Sequence, residues 1–137
     1  MKEKPRDLTQ QVYDWELSLG LFLWARDIPA DKQLTMDECK AIVVDACTLS
    51  QSPPPHHVSE ERYWTDRYCA WCDHTSRCLG FPEDTRQPAI VLHEVAHLVT
   101  RHGHDAVFVE KYITLLDTFN IRPRWELEAT AHEYGIL

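Results

Sequence analysis

Two imidazoles and a carboxylate stand in one short run, His93-Glu94-Val95-Ala96-His97, at the spacing a zinc-dependent hydrolase needs. Residues four apart lie on one face of a helix, so His93 and His97 can reach a single metal ion. Glu94 follows His93 by about 100° around the axis, beside the metal rather than on it. From there its carboxylate can take a proton from a zinc-bound water and act as general base.

The flanking residues strengthen this reading. From Pro88 to Val99 every position is apolar except these three. Pro88 suits a first helical position, Arg101 and His102 fall in the expected last turn, and Gly103 is a natural stop. A buried helix with three polar side chains must satisfy them, because burying them unpaired is costly. An amphipathic helix that merely happens to carry two histidines and a glutamate leaves that cost unanswered.

A catalytic zinc usually takes three protein ligands and leaves one position to water. The candidates for the third are His102, His104 and His132. His102 lies nine residues after His93, on the far side of a continuing helix. His104 follows Gly103, where the chain can turn back toward the metal, and is the favoured ligand. Asp105 then caps a further helix from about Ala106 to Phe119, with Phe108, Tyr112, Leu115 and Phe119 as its apolar stripe. The spacing lacks the downstream glycine of the longer metzincin motif. Tyr112, His102 and His132 are the candidate donors to a developing oxyanion.

Other elements must position this helix. Asp7 to Arg26 reads as a first helix through Val12, Trp15, Leu19, Phe22 and Leu23. Thr35-Met36-Asp37-Glu38 is a capping box opening a second helix through about Leu49, with Ile42, Val43 and Ala46 facing a core. Gln51-Ser52-Pro53-Pro54-Pro55 is a stiff connection, and His56-His57 after it is expected to be exposed. Arg67 to Asp73 and Arg77 to Phe81 read as a hairpin turning at His74-Thr75-Ser76.

At 137 residues the chain suits one domain, residues 1–137, with a real core. A formal charge of −8 and a pI near 5.4 imply no broad basic surface, so direct nucleic-acid binding is not expected. The longest early apolar stretch, Leu17 to Ala25, is broken by Ser18 and Gly20 and follows Asp14 and Glu16. It is read as neither a signal peptide nor a membrane span, so the expected compartment is the cytoplasm, where thiols stay reduced.

Cys69, Cys72, His74 and Cys78 invite a second, structural zinc. A four-ligand site usually draws on two cysteine pairs, and the gap from Cys72 to Cys78 matches no common finger or ribbon. In a hairpin Cys69 and Cys78 lie on opposite strands, which also admits a redox-dependent disulfide. Free thiols are the favoured reading, and Cys39 and Cys47 on the second helix read as core.

Three segments carry a family resemblance. Arg6-Asp7-Leu8-Thr9-Gln10-Gln11-Val12-Tyr13-Asp14-Trp15-Glu16 resembles the opening helix of small metallohydrolases of actinobacteria and their phages. Arg86-Gln87-Pro88-Ala89-Ile90-Val91-Leu92-His93-Glu94-Val95-Ala96-His97 is similar to their metal helix, and Gly103-His104 followed by Phe108 resembles their third-ligand segment. The pattern is related to the SprT-like zinc peptidases. Asp105 stands where glycine is common in that pattern, which restricts how tightly the chain can turn.

The resemblance implies a helix-rich α+β, zincin-like domain in which a small antiparallel sheet packs on the metal helix. It implies His93, His97 and His104 as zinc ligands, Glu94 as base, and a protein or peptide substrate. The leading expectation is therefore a zinc metallopeptidase, for which Glu94 is the discriminating residue because structural zinc does not require it. The alternatives are a catalytically silent, zinc-stabilised binding protein of the kind a phage directs at a host factor, and a metal-free helical adaptor.

Overall fold

The computed structural model describes residues 6–23, 27–62 and 70–137. The fold is α+β. Its main elements are α1 (Thr9–Leu19), α2 (Met36–Leu49), β1 (His57–Ser59), β2 (Trp71–Asp73), β3 (Cys78–Gly80), α3 (Pro88–Thr100), α4 (Ala106–Thr118) and α5 (Arg124–Glu133). No helix among the described residues is long and apolar enough to cross a membrane.

Local signals account for most helix ends. At α2 the Thr35 hydroxyl accepts from Glu38 N at 3.1 Å while the Glu38 carboxylate accepts from Thr35 N at 3.0 Å, the full capping box. Asp105 caps α4 by accepting from Phe108 N at 3.0 Å. The α4 stripe buries Phe108, Tyr112 and Leu115, whereas Phe119 lies just past the helix and is half-buried. The first helix is shorter than expected. It stops at Leu19 because Gly20 turns left-handed at φ 61°, so Phe22 and Leu23 fall outside it.

Helix α3, which carries His93, Glu94 and His97, also ends early, at Thr100 rather than at Gly103. Arg101 takes the left-handed position at φ 60° and its N–H returns to His97 O at 2.9 Å. Arg101 and His102 therefore lie beyond the last turn. At the other end Pro88 is the first helical residue, as expected, and Gln87 ties the helix to the α1 side of the fold. Its side-chain amide donates to Leu23 O at 2.7 Å and its side-chain oxygen accepts from Leu23 N at 2.8 Å.

The sheet is mixed, not antiparallel, with strand order β1-β3-β2. β2 and β3 form the expected hairpin in shorter form, pairing Trp71 with Gly80, Cys72 with Leu79 and Asp73 with Cys78. The first residues of the expected strand, with Cys69, lie outside the described residues. β1 pairs parallel to β3, with Val58 opposite Leu79. The chain leaving the prolines is already extended, so little further ordering is needed for it to dock on the free edge of β3. Gly80 is required by close approach, since a Cβ there would meet the Trp71 indole at 1.9 Å.

One cluster of buried side chains drawn from all five helices and β3 forms the core. Within it α3 packs against α4, α2, β2 and β3, and so lies at the centre. Of α1, Val12 and Trp15 are fully buried, and the Trp15 indole N–H donates to Thr130 Oγ1 at 2.9 Å, joining α1 to α5.

Candidate metal centre

The sequence motif brings His93 and His97 to one face of α3, and the turn into α4 returns His104 to them. Their three Nε2 atoms form a near-equilateral triangle, with His93 to His104 at 3.0 Å and His97 to both others at 3.2 Å. Among the described residues this is the one group of three or more metal-ligating side chains that converge closely. His93 and His97 are buried, at 8 % exposure each, and His104 is half-buried.

The outer nitrogens fix the proton positions. His97 Nδ1 faces the backbone carbonyl of His102 at 2.8 Å, which only accepts, so the ring proton sits on Nδ1. His93 Nδ1 faces Glu16 Oε2 at 2.9 Å, again an acceptor. The Thr9 hydroxyl donates its proton to Asp7 Oδ1 at 2.5 Å and so accepts from His104 Nδ1 at 3.2 Å. With Nδ1 engaged in each ring, Nε2 is the atom that all three turn toward one another. A single shared proton would satisfy one such contact, whereas a metal ion satisfies all three.

The spacing suits a metal. Zinc–nitrogen bonds of about 2.0–2.1 Å in tetrahedral array place ligand nitrogens about 3.3–3.4 Å apart, close to the observed edges. Charge points the same way. Glu16 is 1 % exposed, pairs with no lysine or arginine among the described residues, and leaves Oε1 without a hydrogen-bond partner there. A buried carboxylate of this kind calls for a cation nearby. His93, His97 and His104 could hold a metal ion, and the donor set of neutral imidazoles fits zinc among others.

Packing keeps the ligands rigid and basic nitrogen available. Phe108 stacks on His97 with ring centroids 4.2 Å apart and meets His93 and His104 edge-on at 5.0 and 5.1 Å. Burial, then the neighbouring His93 and His104, pushes the His97 pKa down to about 2. Burial and His93 lower that of His104 to about 4, against the opposing pull of Glu16, Asp7 and Asp105. Both rings therefore stay neutral, the form that binds metal.

Glu94 is buried in the same stretch of α3, at 8 % exposure. Burial pushes up the Cys72 thiol on β2 and the Tyr112 phenol on α4, and the charge of Glu94 adds to both, after that of Glu16 at Tyr112. The His102 side chain is not part of the triangle and instead meets Asp105 Oδ2 at 2.5 Å. His132 is exposed on α5. Tyr112 sits behind His93 as a fully buried residue, its hydroxyl donating to Glu16 Oε2 at 2.7 Å, and so is not poised as an oxyanion donor. The side chains found beside the triangle are Tyr13, stacked near His93 and edge-on to His104 at 5.1 Å, and His74, 6.2 Å from His97.

Glu16 and Thr9 were not among the residues the sequence singled out as functional. The signal was present for Glu16, because it continues the core-facing series Leu8, Val12 and Trp15 where an apolar residue belongs. Comparison of the chain with family models, with curated proteins and with solved structures returned no match.

Proposed function

We propose that the chain is a zinc-dependent hydrolase acting on peptides, of the SprT-like pattern. The observation that carries this reading is the triangle of Nε2 atoms with Glu94 as the residue next to His93. His93, His97 and His104 would hold a zinc ion, which would supply Lewis-acid activation of water. Glu94 would take a proton from the attacking water and pass it to the leaving amine. His93, His97 and His104 hold the charge in place, with their Nδ1 protons anchored so that the rings cannot turn away.

Peptide is favoured over a small substrate by the strand beside the site. Among the described residues β2 is an edge of the sheet, and it packs on α3 with Cys72 near Glu94 and His74 near His97. An open strand edge offers backbone hydrogen bonds to an extended peptide.

The test is Glu94→Gln, which keeps size and polarity and removes the base. Zinc content and melting temperature should persist while hydrolysis of an unfolded-protein or peptide-library substrate falls by about 10²-fold or more. Unchanged hydrolysis would eliminate Glu94 as base, and a zinc-loaded wild type that cleaves nothing in a broad library would favour the silent binding protein.

A further inference from the structure

We propose that α1 is the outer shell of the metal centre, a clamp whose docking is coupled to metal loading. The inference rests on the metal-centre reading and adds to it what controls occupancy. Thr9, Tyr13 and Glu16 are spaced i, i+4 and i+7 and so form one stripe along α1. Thr9 holds His104 and Glu16 holds His93, across 95 and 77 residues of chain. Between them Tyr13 lays its ring against both. Just before the helix, Leu8 N donates to His104 O at 2.7 Å, fixing the ligand's backbone as well.

The remaining histidine of the triangle, His97, is organised differently. His97 takes its acceptor from His102, five residues away, and its stacking from Phe108, neither of them on α1. One helix thus orients two of three ligands and leaves the last to local structure. Docking α1 also places the Glu16 carboxylate in the interior with Oε1 unpartnered among the described residues. That cost is offset when a cation sits beyond His93. A ligand that binds only the docked form stabilises it, so metal should hold α1 down and α1 should hold the metal.

The experiment uses the full chain with zinc alone as ligand. Hydrogen exchange is measured with and without zinc, comparing α1 amides with those of α2, and zinc affinity is measured by chelator competition for wild type, Glu16→Gln, Thr9→Val and His104→Ala. Zinc should slow exchange in α1 far more than in α2, and Glu16→Gln should weaken binding by about 10–100-fold, the usual scale for an outer-shell partner. Cobalt-loaded Glu16→Gln should also show a shifted visible spectrum, which a purely structural residue would not produce. Equal protection of α1 and α2, or zinc bound as tightly by Glu16→Gln as by wild type, overturns the clamp. Loss of zinc in His104→Ala with none in Glu16→Gln removes the clamp and leaves the metal centre standing. A wild type that binds no zinc removes both. Should Glu16→Gln not fold, the wild-type exchange comparison decides alone.

Discussion

His102 holds His97 by its backbone and not by its ring: the carbonyl of His102 accepts from His97 Nδ1 at 2.8 Å while its imidazole turns to Asp105. A residue with a ligand-type side chain therefore serves the centre through an atom every residue has. His102→Ala should keep one zinc per chain with near-wild-type affinity and lose about 1 kcal/mol with the Asp105 contact. His104→Ala, which removes one corner of the Nε2 triangle, should lose tight binding. Zinc stoichiometry after dialysis against a chelator separates them, and equal losses would overturn the assignment of His104.

The depressed pKa values of His97 and His104, about 2 and about 4, set the acid behaviour of the metal-free protein. In the unfolded chain both rings titrate near 6.5, so between about pH 6.5 and 4 the unfolded state binds protons the folded state refuses. Stability then falls as pH falls, and is fully expressed above about pH 7. Denaturant titrations in chelator from pH 7 to pH 4.5 should show this decline, with a shallower slope in His97→Gln. A flat profile, or one that His97→Gln does not change, contradicts the burial of neutral rings.

The parts legible in the sequence were those with local signals. The metal helix, the Thr35 capping box and the Asp105 cap each lie within a few residues of the atoms they satisfy, and each formed. Helix geometry pointed to His104 over His102 as the ring that joins His93 and His97, although the turn that delivers it begins at Arg101 and not at Gly103, with the His102 carbonyl aimed at His97. β1 escaped notice because its partner is β3, twenty-one residues on, and only the fold brings them together. α5 carries just two buried residues, Leu127 and Ala131, and so shows little amphipathic pattern. Glu16 was visible as a charge on an apolar stripe, but its meaning needed His93 beside it.

Cys72 and Cys78 cannot share a structural zinc or a disulfide through this hairpin as it stands. Cys72 pairs with Leu79 and Cys78 with Asp73, so successive positions send the two thiols to opposite faces of the sheet. All four cysteines described are free thiols. A Cys69, Cys72 and Cys78 triple serine variant should therefore keep one zinc per chain and lose only modest stability, about 1–3 kcal/mol for the polar hydroxyls at half-buried Cys72 and Cys78. Two zinc ions per wild-type chain falling to one in the variant would establish the structural site.

Gly80→Ala separates the sheet's contribution from that of the ligands. A Cβ at Gly80 would fall 1.9 Å from the Trp71 ring, so the indole must leave its seat and give up its hydrogen bond to Glu61 O at 2.8 Å. Overpacking of this kind typically costs about 1–3 kcal/mol, and loss of the indole's hydrogen bond adds about 1 kcal/mol more. The candidate metal ligands come from α3 and the turn before α4, not from the sheet, so zinc affinity should change by less than about twofold, within the roughly 0.5 kcal/mol expected for independent sites. If β2 aligns an extended substrate beside Glu94, peptide hydrolysis should fall with the displaced strand although the metal remains. A variant that melts earlier, keeps its zinc and hydrolyses peptides at the wild-type rate would show that β2 supports the fold without guiding the substrate.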